Sequence, residues 1–165
     1  MDIPAELERK IDEVITHYPV SKRSAALPLL HLVQEHFGYV SNEAADWIAA
    51  KLEVQPINIL ELVTFYPMFR SEAPGKHHIR VCRTLSCAMG GSYRLMDDLC
   101  GMTKIHRHAH AGHGSPVTVS EDGKYSIEFV ECLASCGTAP VCMVDDDFYE
   151  NVSKESAADI LAKYA

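Results

Sequence analysis

Two pairs of cysteines constrain this chain more than any other feature. Cys82 and Cys87 have four residues between them, Cys132 and Cys136 have three, and residues 88 to 131 separate the pairs. The strand-like run HHIRVC leads into the first pair. A Gly-Thr-Ala-Pro turn and the short apolar run VCMV follow the second. Two such pairs brought to one place can close four soft thiolates around one metal centre. Zinc sites more often use two-residue gaps, and the thioredoxin redox motif is C-x-x-C, so gaps of four and three count against both. Cys100 and Cys142 differ from these four. Cys100 ends a helical run on its inward side and Cys142 lies in an apolar strand, so both are expected in the core, where free cysteine packs as a small hydrophobe.

Other classes are excluded by composition. The 165 residues carry a formal net charge of −8, which argues against a nucleic-acid partner because phosphate binding needs a basic surface. No apolar run reaches membrane-spanning length, so no direct membrane insertion is expected. The N-terminus MDIPAELERKIDE is acidic and amphipathic, unlike a secretory signal or an Arg-rich transit peptide. Six cysteines without a signal peptide point to a reducing compartment, where close thiol pairs are metal or redox sites more often than disulfides.

The hydrophobic period changes once along the chain. Up to residue 70 it is helical. Leu7, Ile11, Val14 and Ile15 share one face over residues 5–17. A second helix, capped by Ser21 or Ser24, runs to His36 with a kink or a start near Pro28. NEAADWIAAKL is a third, capped by Ser41 or Asn42, with Trp47 and Ile48 inward. PINILELVTFYPMF opens a fourth at Pro56 that ends before Pro67. Residues 71–76, SEAPGK, form a linker. From 77 to 165 the order is β-α-β-β-β-α: HHIRVC, then SYRLMDDLC introduced by Gly90-Gly91-Ser92, a hairpin turning at Asp122-Gly123, PVCMV, and a final helix from Lys154 capped by Ser153. The fold class is α+β, a small N-terminal helical bundle over residues 1–70 followed by a thioredoxin-like C-terminal domain.

A [2Fe–2S] cluster needs four ligands, two per iron, and suits thiolates. Gly137 is expected to free the backbone for close approach, and the helix after Cys87 to turn its positive end toward an anionic cluster. At these residues the chain resembles a known family. The spacing of Cys82 and Cys87 from Cys132 and Cys136, the segment ECLASCGTAPV, the following DDFYENV, and upstream ALPLLHLVQEHFGYVS and LELVTFYPMF are similar to the thioredoxin-like [2Fe–2S] subunit of the NADH-oxidising module of respiratory complex I. The resemblance covers nearly the whole chain. It implies that Cys82, Cys87, Cys132 and Cys136 are the four cluster ligands. It further implies a partner subunit that holds FMN and NADH, further iron–sulfur subunits, and single-electron exchange with that FMN. The implied location is cytoplasmic, peripheral on the inner side of the bacterial plasma membrane. The equivalent diaphorase subunit of an NAD-linked hydrogenase or formate dehydrogenase fits the same residues. No Gly-rich dinucleotide loop follows a strand, so the chain alone is not expected to oxidise NADH.

The bland readings stand beside these. A zinc-stabilised interaction module and a thiol–disulfide oxidoreductase are the rivals from other classes. The stretch Lys104 to Pro116 is longer than the family pattern and carries His106, His108, His110 and His113. A solvated loop is the simpler reading of it than a metal site. His17, His31, His36, His77 and His78 read as surface or helix-end residues, and Asp145 to Asp147 as a solvated turn. Phe65 and Tyr66 read as bundle core or a partner surface.

Overall fold

The acidic N-terminal run forms α1, Ala5–Thr16, in the computed structural model of the protein, with Leu7 and Ile11 buried and Val14 and Ile15 packed beside them. The structure describes residues 2–106 and 117–164. It divides the chain into two compact units, Met1–Ala73 and Pro74–Ala165.

In the first unit a 3-10 turn, Lys22–Ala25, leads into α2, Ala26–Phe37. Pro28 is the third residue of α2. Its missing N–H falls in the first turn, where amides have no partner in the helix, so α2 starts two residues before it, near the expected place. Ser21 precedes the 3-10 turn without a side-chain cap bond, which replaces the expected serine cap. Gly38 stops α2 with φ +82. The Ser41 hydroxyl accepts the Ala44 N–H at 3.1 Å and starts α3, Asn42–Leu52. Pro56 opens α4, Pro56–Phe65. The core gathers Ile11, Leu29, Leu30, Ile48 and Ile59, all fully buried, and each contributes about 1.5–3 kcal/mol by leaving water. Trp47 is only half-buried on the rim of this core, with the Lys51 ammonium 5.3 Å from its ring centre. Gln34 ties down the segment after α4. Its amide donates to the Met68 carbonyl and accepts the Arg70 N–H, both at 2.8 Å. Tyr66 packs on the core, while Phe65 stays 76% exposed.

The second unit is a five-stranded sheet in the order β2-β3-β1-β4-β5. The strands are β1 His77–Cys82, β2 Thr118–Val119, β3 Tyr125–Val130, β4 Cys142–Val144 and β5 Asp147–Tyr149. Strands β1 and β3 are parallel, and the other pairs are antiparallel. The helices are α5 Leu85–Met89, α6 Ser92–Thr103 and α7 Lys154–Ala162. Alternation along each strand puts Ile79, Val81, Ile127, Cys142 and Val144 in one core with Leu95, Met96 and Leu99 of α6 and Ile160 and Leu161 of α7. Cys100 and Cys142 lie in that core, as expected, and burial pushes the Cys142 thiol up to about 12. Two elements exceed the expected order. Helix α5 has only five residues and β5 only three, too short for either to show a period.

The opposite face of the sheet corrects the reading of two residues. His78 is 4% exposed, not a surface histidine. Register places it across from Ser126, and its ring nitrogens meet Ser126 Oγ and the buried Glu128 Oε1, both at 2.8 Å. Asp145 is not simply a solvated turn residue. It takes a left-handed φ of +53 at the β4–β5 turn, accepts the His78 N–H through Oδ1 at 2.8 Å, and meets His77 Nδ1 through Oδ2 at 2.8 Å. Alternation and charge alone do not reveal such cross-strand polar pairs. Of the histidine-rich stretch, His106 is exposed. His108, His110 and His113 lie outside the described residues. Among the described residues no helix is long and apolar enough to cross a membrane.

Candidate cluster site

Strand alternation sends Val81 into the helical core and Cys82 to the other side. The β1 strand ends there, and Cys82 N–H donates to the Val141 carbonyl at 3.2 Å. Three residues later α5 begins, and its third residue is Cys87. Cys87 lies inside this additional short helix, and the helix expected after it, α6, starts five residues beyond at Ser92. Gly90 lets α5 end in a tight space. A Cβ there would sit 2.9 Å from Ala139 Cβ, so α5 meets the segment after Cys136 at closer range than any side chain permits. Cys82, Cys87 and Val141 form a small buried cluster capped by Leu133 and Ala139.

The second pair sits on the loop after β3. Cys132 and Cys136 are both exposed, with their sulfurs 3.8 Å apart. Ala134 between them takes φ +63, a left-handed conformation that costs an L-residue about 1–2 kcal/mol. That turn directs the Ala134 N–H to Cys132 Sγ at 3.3 Å. The left-handed residue of this loop is Ala134 and not Gly137. A Cβ on Gly137 would meet nothing within 4 Å. Cys136 starts a 3-10 turn, Cys136–Thr138. The hydroxyls of Ser135 and Thr138, on either side of Cys136, both converge on the Glu150 carboxylate, Thr138 donating at 2.5 Å. Those hydroxyls hold the Glu150 carboxyl below the ordinary carboxylate range.

Electrostatics join the two pairs. Burial pushes the Cys82 thiol up, but hydrogen bonds from the Thr84 hydroxyl, the Leu133 N–H, the Thr84 N–H and Cys87 outweigh it and leave Cys82 below the ordinary thiol value. Cys87 is pushed up by burial and by its bond with Cys82, against an N–H from Val141, and then by the charges of Cys82 and Cys136. Leu133, next to Cys132, packs against Cys82 and Cys87, so the loop of the second pair meets the first, and none of these four cysteines is in a disulfide. Among the described residues, no three His, Cys, Asp or Glu side chains converge as a single metal ion requires. A binuclear iron centre takes two thiolates per iron. The donor set suits such a centre, with soft thiols in two pairs and backbone N–H groups of Leu133, Ala134 and Val141 directed at sulfur. Sequence reading missed Thr84, Gly90, Ala134 and Glu150. Of these only Gly90 carried a signal, its place in Gly90-Gly91-Ser92, and that indicated no more than a helix start.

The family model for thioredoxin-like [2Fe–2S] ferredoxins matches residues 11–165. The chain is 37% identical over 164 residues to the E subunit of the NADH-quinone oxidoreductase of Aquifex aeolicus, covering 99% of this chain and 96% of that one. It is 35% identical over 156 residues to the protein of the same name in Rickettsia felis, covering 93% and 88%. Among solved structures, a chain of the air-oxidised NAD+-reducing [NiFe]-hydrogenase shares the fold, with a TM-score of 0.67 at 14% identity. The match covers 85% of this chain and 22% of that one.

Proposed function

The chain belongs to the thioredoxin-like [2Fe–2S] ferredoxin family, and from that premise we propose that it is the electron-transfer subunit of an NADH:quinone oxidoreductase. Its near full-length relatives are named as the E subunit of that complex. Cys82, Cys87, Cys132 and Cys136 hold the cluster. The observation that carries this reading is the packing of Leu133, next to Cys132, against the buried Cys82 and Cys87. When bound, a [2Fe–2S] centre supplies a one-electron couple.

The protein's own residues define how that couple is reached. The buried pair, Cys82 and Cys87, is shielded from water by Leu133, Val141 and Ala139. Cys132 and Cys136 are exposed, and so are Leu85 and Met89 of α5, at 76% and 81%. Electrons therefore cross on the side of Cys132 and Cys136. Hydride transfer moves two electrons and the cluster accepts one, so a flavin on a partner subunit splits the pair. That partner holds the FMN and NADH, and further iron–sulfur subunits complete the complex. The protein reaches the inner face of the plasma membrane through them.

The test is reduction followed by EPR. The isolated protein is expected to be reduced by dithionite and not by NADH, and to become reducible by NADH once the flavin subunit is added. Rapid NADH reduction of the isolated, flavin-free chain would overturn the proposal.

A further inference from the structure

We propose that Glu150 is a positioning residue for the exposed thiol pair, clamping the Cys132–Cys136 loop through the hydroxyls of Ser135 and Thr138. The inference rests on the reading of Cys132 and Cys136 as ligands.

The two thiol pairs are held by different means. Cys82 and Cys87 are fixed by a strand end, a helix and a buried apolar cluster. Cys132 and Cys136 are exposed and lie where β3 has ended, so the sheet does not fix them. Besides Leu133, which packs on Cys82 and Cys87, two polar side-chain anchors among the described residues hold their loop. At its start, Arg83 meets Glu131 at 3.0 Å on the surface, a contact of the kind that adds little rigidity. At its end the Glu150 carboxylate takes the two hydroxyls that bracket Cys136. Those hydroxyls also lie 2.6 Å from each other; with one proton on each, two of the three contacts are hydrogen bonds at a time, and the carboxylate, which only accepts, takes at least one of the two protons.

Glu150 is itself held in place. It follows the last residue of β5, and the next residue, Asn151, takes a left-handed φ of +49 and donates its N–H to the Thr138 carbonyl at 2.8 Å. The backbone of residues 150–151 and the side chain of Glu150 therefore grip the same turn from two sides. The Val152 N–H adds a bond to the Pro140 carbonyl at 3.0 Å. Partners that orient ligand residues without touching the metal set how firmly it is held.

The experiment uses the full-length chain loaded with its cluster. It compares wild type, Glu150→Ala, Glu150→Gln and the double variant Ser135→Ala/Thr138→Val for iron release to a chelator, EPR line shape and thermal melting. Glu150→Ala is expected to release iron on the order of tenfold faster, with a broadened EPR signal. Glu150→Gln, whose amide oxygen still accepts both hydroxyls, is expected to stay close to wild type. The double variant is expected to match Glu150→Ala, and adding Glu150→Ala to it to change nothing further. Wild-type release and line shape in Glu150→Ala would overturn the inference. So would fast release that Gln fails to rescue, or faster release that merely tracks a lower melting temperature. Cys136→Ser is the reference: if it keeps the cluster, the ligand reading falls, and if it loses the cluster while Glu150→Ala behaves as wild type, only the Glu150 inference falls.

Discussion

Cys82→Ser, Cys87→Ser, Cys132→Ser and Cys136→Ser are each expected to lose the visible absorption of the cluster or perturb it severely. Cys100→Ala and Cys142→Ala are expected to keep it. Serine keeps the size of the side chain but replaces a soft sulfur by a harder oxygen, a poorer match to iron. The remaining three thiols leave one iron a ligand short. Cys100 and Cys142 are packed among Met96, Val144 and Ile160 in the helical core, so their truncation costs about 1–3 kcal/mol of stability and leaves the spectrum unchanged. They belong to a different cluster of buried residues from Cys82 and Cys87, and burial holds the Cys142 thiol up near 12 with no hydrogen bond to lower it. A normal spectrum from Cys136→Ser would remove the exposed pair from the site.

Gly75→Ala is expected to have the largest effect on the fold. An added Cβ would lie 2.5 Å from the carbonyl carbon of Tyr125, 2.7 Å from its oxygen and 2.8 Å from the nitrogen of Ser126. All three are backbone atoms of β3, which is paired to β1 on one side and β2 on the other, so the strand cannot yield. Neighbouring bonds from Lys76 N–H to Gly123 O at 3.0 Å and from His77 N–H to Lys124 O at 2.8 Å hold Gly75 against it. Overpacking of this kind costs about 3 kcal/mol, which lowers the melting temperature of the second unit by roughly 10–20 °C. Gly101→Ala is the control, because a Cβ there meets nothing within 4 Å and α6 favours alanine over glycine. Equal melting of Gly75→Ala and wild type would show that β1 and β3 are not held at this separation.

These two predictions mark what the sequence revealed and what it did not. Periodicity located α1, α3 and β1 to within a residue or two and α7 to within three, because each buries one regular face. Two thiol pairs with their spacing read as a candidate metal site because few other needs place cysteine so. Gly75 was hidden. In SEAPGK it looks like flexible linker, and only the approach of β3, fifty residues later, makes it a packing requirement. His78 was hidden for the same reason, since its partners Ser126 and Glu128 become neighbours only through the parallel register of β1 and β3. Ala134 shows a local limit: its left-handed turn is set by the cysteine loop against the preference of alanine itself. Glu150 sits in a charged run that resembles solvated surface, and its role emerges only when the hairpin of β4 and β5 carries it to Ser135 and Thr138.

The central claim is that two cysteine pairs hold one binuclear iron centre. It is tested most directly by analysing the purified protein for iron, acid-labile sulfide and zinc, with EPR after dithionite reduction. The expected protein is red-brown, contains two irons and two sulfides per chain, and gives one signal from a single added electron. A colourless protein containing zinc, or iron without sulfide, would contradict it.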